Sequence, residues 1–482
     1  MTDKMIVSLD LGTSGCRAAA VSLDGVIKKR KSIALVPVRR GGGLSEYDSE
    51  ALFSAQREVL NAVLDETGPQ NVAALSLSSQ RSTVVLWDKS SGKAVAPVLT
   101  WEDGRAAKEA ESCTLTQPEI HALTGLYKTP YFSAPKIAWC LKNCPQAAAS
   151  LRSGNLFAAP VASYFIWRLT GGTVFACDPT LAQRTLLFDI NKHSWSGKLC
   201  RAFGVPAEAL PAVLPSAADY GVYDYKGFKI PIRACAGDQQ AAAYAMGVTA
   251  GMYAVNYGTG AFLLYNAGAE QKRLAGVLSS LSVSTEEGAE DILLEGPVNA
   301  AGSVFLWLNA QGVAFEHSQI DVLCQSAKRP VWLLPALGGL GAPYWDFSVS
   351  PVVAGLSAQT KTDDWVAGAV RSVAFSVAGV AYYLRQAGCE PIKIFVSGGL
   401  SRVGALVQFQ ADILQKELTV LDESESTVLG AARLAAHCLG VDRGWKEVCA
   451  SRTVSPNIFG VEADKEYQNW RKFAGWAKKN PL

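Results

Sequence analysis

The sequence predicts an α/β fold in two related domains. Three observations carry this expectation: a β-β-β-α-β order of elements at the start of the chain, a strand–turn–strand with a Gly-Thr turn in each half, and enough apolar residues for more than one core. At 482 residues the chain has room for two or three domains. With 49% hydrophobic and 18% charged residues it folds rather than remaining disordered.

The run Met5 to Asp10 is β-branched and apolar and ends at a Gly-containing turn, so it reads as a strand. After Gly12-Thr-Ser-Gly15 a second strand is expected over 16–22, closed by the hairpin signal Asp24-Gly25. A third is expected over 27–38. Ser49 is expected to cap a helix whose apolar face is Leu52, Phe53, Val59, Leu60 and Val63. Residues 72–77 and 83–87 read as further strands. In the second half, 252–257 reads as a strand, Gly258-Thr-Gly260 as a turn and 262–265 as the returning strand. The crossover between halves is expected over 232–251 with a boundary near residue 246, giving domains 1–246 and 247–482. The apolar stretch Val366 to Leu384 is interrupted by Arg371 and reads as a buried helix, not a membrane span. Glu466 to Lys479, with Trp470 and Trp476, reads as a helix docked on its own domain; a subunit contact is the alternative, and a homodimer is left open.

Charge and cysteine usage exclude several classes. Lys and Arg number 45 against 43 Asp and Glu, a net charge of +2 without a block of like charge, so neither a nucleic-acid partner nor a membrane partner is expected. Eleven cysteines form no CxxC pair, although Cys140 and Cys144 stand one helical turn apart. The four histidines, His121, His193, His317 and His437, lack zinc-ligand spacing. The N-terminal residues do not read as a signal peptide. A reduced, soluble, cytoplasmic protein is expected.

Four short segments carry chemistry. Asp10-Leu-Gly-Thr-Ser-Gly15 and Tyr257-Gly-Thr-Gly260 are glycine turns whose backbone N–H groups and hydroxyls (Thr13, Ser14, Thr259) suit a phosphate chain. Neither is a P-loop or a dinucleotide fingerprint. Asp10 at the mouth of the first turn suits Mg²⁺ held through water, and Arg17 either leans over the same oxygens or is a surface cation. Ala236-Gly-Asp-Gln-Gln-Ala241 places Asp238 at a helix start, where it is either an N-cap or a general base. Val396-Ser-Gly-Gly-Leu400, with Gly398 and Gly399, forms a backbone platform for a base.

Together and in this order, these segments resemble the FGGY carbohydrate kinases over almost the whole chain. Leu337-Gly-Gly-Leu-Gly-Ala-Pro-Tyr-Trp-Asp346 is similar to a signature segment of that family. The resemblance implies two actin/ribonuclease-H-like domains around a central catalytic cleft, with ATP mainly on the second domain and the carbohydrate mainly on the first. It implies ATP and Mg²⁺ as reactants, Asp238 as catalytic base and Asp10 at the metal. Gly12, Thr13, Ser14 and Arg17 fall on its first phosphate loop, Gly258, Thr259 and Gly260 on its second, and Gly302, Gly398 and Gly399 on nucleotide contacts. The carbohydrate positions fall on Arg81, Ser82, Trp101, Tyr131, Asp238, Gln239 and Phe262, where aromatic walls with a few polar groups suit a small polyhydroxyl ligand.

The sequence departs from glycerol-kinase members of the family at four places. Ser82 stands where they carry Glu after the Arg, which removes an acceptor and makes room. Leu306 and Val403 stand where they carry Gln and Asn, so base contacts there are expected to be more apolar. Tyr225-Lys-Gly-Phe228 is shorter than the loop that binds fructose bisphosphate in bacterial members, so that feedback is not expected. The expected activity is ATP-dependent phosphorylation of a small polyol or sugar. Glycerol is the nearest substrate, and a tetritol, a triose or a ketopentose of the ribulose or xylulose type is the alternative. An actin- or chaperone-like ATPase switch is the competing class, and a catalytically weak sugar sensor a third.

Overall fold

The computed structural model describes residues 4–13, 15–41, 43–270, 272–286, 290–421, 425–445, 450–457 and 461–479. The chain divides into two compact units, each discontinuous in sequence. Unit 1 is Met1–Gly247 with Ser280–Asp291 and Glu425–Glu447; unit 2 is Val248–Ser279, Ile292–Ser424 and Val448–Leu482.

Unit 1 is built on strands β1 (Met5–Leu11), β2 (Gly15–Ser22), β3 (Ile27–Ala34), β4 (Val72–Ser79), β6 (Val222–Tyr225) and β7 (Phe228–Gly237); β5 (Val84–Asp88) belongs to a second, five-stranded sheet. The main sheet runs in the order β6-β7-β4-β1-β2-β3. β1 is antiparallel to β2, with Asp10 opposite Arg17, and parallel to β4, with Asp10 beside Ser78. β7 is parallel to β4, with Gly237 beside Ser79. The carboxyl ends of β1, β4 and β7 therefore fall at one edge, where ligands of open α/β sheets bind.

Two boundaries differ from the sequence expectation. The third strand stops at Ala34 because Pro37, which has no N–H to give, separates it from Val38–Arg40, and that segment pairs in the other sheet. Helix α1 (Ser49–Thr67) is capped by Asp48, not Ser49: the carboxylate one residue earlier accepts the N–H groups of Glu50 and Ala51 at 3.0 and 2.8 Å. Helix α2 (Ser133–Asn143) leads toward the second sheet, and α3 (Asp238–Ala245) starts where β7 ends. The helix Ser426–Cys438 returns to unit 1 and packs on β1, β4, β7 and α3. The approach to α3 demands glycine, since a Cβ on Gly430 would stand 1.8 Å from the carbonyl oxygen of Ala241.

The second large sheet, mostly in unit 2, repeats the theme with β8 (Met252–Tyr257), β9 (Ala261–Asn266), β10 (Leu278–Leu281), β11 (Ile292–Val298), β12 (Lys393–Ser397), β13 (Leu418–Leu421) and β14 (Ala450–Val454), in the order β10-β11-β9-β8-β12-β13-β14. The helices of unit 2 include α4 (Gly302–Ala310), α5 (Thr362–Gln386) and α6 (Gly404–Leu414). α5 is the one helix among the described residues long and apolar enough to cross a membrane. However, 78% of its most apolar stretch is buried, as in the core helix of a globular unit. The C-terminal helix Val461–Lys479 closes that core: the Trp470 ring lies 5.3 Å from Phe375 and its indole N–H reaches the carbonyl of Leu333 at 3.2 Å, while Trp476 stays exposed.

Candidate active site

The strand ends of unit 1 gather the charged groups. Asp10, 2% exposed, holds Arg17 through Oδ2 at 2.7 Å and accepts the Ser78 hydroxyl on Oδ1 at 3.2 Å. Facing residues of an antiparallel pair point to the same side, so the β1–β2 register itself brings Arg17 to Asp10. Burial raises the Asp10 carboxyl above its ordinary range, against the pull of Arg17 and Ser78. Arg17 also meets Glu425 at 3.6 Å, so it sits in an acidic setting and is not a free surface cation.

Asp238 is the first residue of α3. Gly237 occupies the cap position, so the N-cap alternative for Asp238 does not describe its place. Its Oδ1 accepts the N–H of Gln239 at 2.8 Å and stands 3.5 Å from Nε of the nearly buried Arg81. The Gly237 N–H is held by Thr180 Oγ1 at 2.7 Å. Thr180 in turn donates to the buried Asp178, which anchors the turn that aims Asp238.

The aromatic wall stands beside these groups. Trp101 and Tyr131 have ring centroids 5.3 Å apart, and the Trp101 indole N–H donates to Thr13 Oγ1 at 2.8 Å. Thr13 Oγ1 donates to Gln80 Oε1 at 3.2 Å, and Thr83 Oγ1 donates to the same oxygen at 2.9 Å. The Tyr47 hydroxyl closes on the Thr13 carbonyl. Gln80, 1% exposed, thus ties the first glycine turn to the segment carrying Arg81 and Ser82. Ser82 has a left-handed backbone (φ 66°), and its buried hydroxyl has no hydrogen-bond partner among the described residues. Unit 1 therefore brings together Asp10, Gly12, Thr13, Arg17, Arg81, Ser82, Trp101, Tyr131, Asp238 and Gln239; Ser14 lies outside the described residues.

Unit 2 carries Gly258, Thr259, Gly260, Phe262, Gly302, Gly398 and Gly399. The turn after β8 is stitched to the start of α4: Gly302 N–H donates to the Gly258 carbonyl at 2.9 Å, and Ser303 N–H to that of Thr259 at 3.0 Å. Beside it lies a cavity of about 330 Å³ walled by Thr259, Gly302, Phe305, Leu306, Phe315 and Gly399. Leu306 is 71% exposed there, which agrees with an apolar base contact; Val403 is buried at the start of α6 and does not line the cavity. A Cβ on Gly302 would stand 2.7 Å from the Gly258 carbonyl oxygen. Gly302→Val is therefore expected to displace the turn at a cost of about 1–3 kcal/mol. Read through ATP kinetics, that is a rise in KM for ATP of about tenfold or more, checked by initial rates and by calorimetric titration with ADP.

Sequence reasoning passed over Gln80, Tyr47, Thr180 and Lys136. Gln80 directly precedes Arg81, and Lys136 carried a signal of its own: a lysine on the buried face of α2, beside Ala134, Ile137 and Cys140.

Two α/β units each present a glycine turn at the end of a strand, and unit 1 places an aspartate at a helix start beside an arginine, an arrangement of the kind found in phosphotransferases. The pattern of the FGGY family of carbohydrate kinases matches this chain, its N-terminal domain over residues 5–245 and its C-terminal domain over 253–439. Glycerol kinase of Alteromonas mediterranea is 33% identical, covering 97% of each chain. Among solved structures, Plasmodium falciparum glycerol kinase with ADP superposes with a TM-score of 0.91 at 24% identity over 98% of each chain. Xylulose kinase from Rhodospirillum rubrum superposes with a TM-score of 0.86 at 21% identity over 99% of each. The chain belongs to the FGGY family of carbohydrate kinases and has its two-domain fold; it is an ATP-dependent kinase.

Proposed function

We propose that this kinase phosphorylates a small polyol or short ketose, and that Asp238 takes the proton from the accepting hydroxyl. The observation that carries this reading is the Arg81–Asp238 pair, 3.5 Å apart at the strand ends and linked through Gln80 and Thr13 to the Trp101–Tyr131 wall. In unit 1, Trp101 and Tyr131 cover the carbon skeleton, while Arg81 and Gln239 bond its hydroxyls and Ser82 leaves space; Phe262, in unit 2, is the further position that the family resemblance assigns to the carbohydrate. In unit 1, Gly12 and Thr13 form a turn suited to phosphate; in unit 2, Gly258–Gly260 form another, and Gly302, Gly398 and Gly399 support the base. As the γ-phosphoryl group moves, Asp238 takes the proton of the accepting hydroxyl.

Mg²⁺ belongs to this proposal. Among the described residues no group of three or more acidic, His or Cys side chains could hold a metal. Kinases bind Mg²⁺ with one or two carboxylates, water and substrate phosphates, so such a cluster is not what this ion requires. Asp10, a buried carboxylate at the end of β1 beside the first glycine turn, is the residue that would hold it through water, where the ion would neutralise phosphate charge.

Glycerol heads the candidate substrates because the related enzymes named above include glycerol kinases. Ser82 extends the range to tetritols and ketopentoses. The test is a coupled ADP-release assay with Mg-ATP over a panel of polyols and ketoses, run beside Asp238→Ala. Turnover on glycerol, or on a four- or five-carbon compound alone, identifies the substrate. ADP release unaffected by any carbohydrate would favour an ATPase switch and sink the proposal.

A further inference from the structure

Lys136 has no role in the site as described so far, yet it is completely buried in the first turns of α2. Its ammonium donates to three carbonyl oxygens on three segments: Tyr131 at 2.5 Å, Ser82 at 3.4 Å and Trp101 at 3.4 Å. A lysine has three donors, and these acceptors use them all. Ser133 on the same helix adds its hydroxyl to the Ser82 carbonyl at 3.2 Å. Burial pulls the ammonium's pKa down to about 7 against the pull of Asp103, a sign of how costly the charge is in this place.

Two features show what that cost secures. Ser82 is held at φ 66°, a left-handed conformation that a non-glycine residue keeps only where its surroundings over-determine it. Its carbonyl is the oxygen that receives both Lys136 and Ser133. In addition, the three residues that share the ammonium are those whose side chains form the aromatic wall and the Ser82 gap. A methionine of similar length would fill the same volume without the desolvation cost, and it would take the ammonium donor from the Trp101 and Tyr131 carbonyls and leave the Ser82 carbonyl with Ser133 alone.

We propose that Lys136 is a positioning residue for the carbohydrate pocket, its ammonium fixing the main chain of Ser82, Trp101 and Tyr131 and thereby setting carbohydrate affinity. This rests on the reading that those three residues line that pocket.

The test is steady-state kinetics of the full chain with glycerol and with D-xylulose, each against ATP. Lys136→Met is expected to raise the carbohydrate KM by about tenfold or more, the scale of one lost charge-assisted hydrogen bond, with little change in the ATP KM. Ser133→Ala, which removes one donor and keeps the lysine, should shift the carbohydrate KM in the same direction by less. Adding Ser82→Gly to Lys136→Met should restore part of the loss, because glycine holds a positive φ without an anchor. Trp101→Ala and Tyr131→Ala are measured in parallel. If they leave the carbohydrate KM unchanged, the pocket reading falls. If they raise it while Lys136→Met and Ser133→Ala lower only the melting temperature, the positioning role is overturned. Should Lys136→Met fail to fold, Ser133→Ala and its double mutant with Ser82→Gly decide in the same way.

Discussion

Asp238→Asn is expected to lower kcat by about 10²–10⁴-fold, the range that a positioned general base contributes, while ADP binding measured by calorimetry stays as in the parent. Asparagine keeps the shape of the side chain and an oxygen for the Gln239 N–H, which the carboxylate accepts at 2.8 Å. What it loses is the capacity to take a proton and the charge that faces Arg81 at 3.5 Å. The location sharpens the expectation. Asp238 begins α3, so its carboxyl group stands at the positive end of the helix dipole and faces Arg81 at 3.5 Å. Phosphoryl transfer makes its transition state mostly by positioning and charge, so part of the rate survives without the base. Retention of more than roughly a tenth of kcat in Asp238→Asn would remove Asp238 from the proton path.

Much of this site was legible in the sequence because strand ends and glycine turns are local events. Asp10 follows an apolar β-branched run and precedes Gly12-Thr13, and the register of β1 with β2 and β4 then places it at the sheet edge. The same holds for Tyr257-Gly-Thr-Gly260, where the strand β8 ends as the residue pattern requires. Pairings between distant segments were not legible. Glu425 reaches Arg17 only because Glu425–Glu447 returns to unit 1 from deep in the second half, and hydrophobic periodicity does not say which core a helix joins. Lys136 shows the same limit from another side. Its helical spacing marks a buried position, but the three carbonyls that justify a buried charge come from segments 5, 35 and 54 residues away. Small local competitions went unresolved as well: Asp48 and Ser49 are both good caps, and the carboxylate one residue earlier took the role.

Ser82→Glu is expected to shift the ratio of kcat/KM for glycerol over D-xylulose by about 100-fold toward glycerol, roughly 2.7 kcal/mol in transition-state binding. The residue follows Arg81, which is 5% exposed and faces Asp238, so a carboxylate placed here enters a setting that already holds a cation. It would offer hydroxyl groups an ionised acceptor and occupy the room a longer carbon chain needs. A substrate that cannot satisfy that carboxylate leaves it buried and unpaired, and such mismatches discriminate far more strongly than a missing methylene. The native serine contributes little of this, since its buried hydroxyl has no hydrogen-bond partner among the described residues. The larger side chain in a buried position is expected to lower stability by about 1–3 kcal/mol, seen as a fall in melting temperature. The positive φ of Ser82 is common to both residues and does not bias the comparison. Ser82→Ala separates space from hydrogen bonding: it keeps the room and removes the hydroxyl. An unchanged substrate ratio in Ser82→Ala beside a shifted one in Ser82→Glu would assign selectivity to the absent carboxylate. Equal ratios in both variants would mean that residue 82 does not choose the substrate, and the choice would pass to the Trp101–Tyr131 wall.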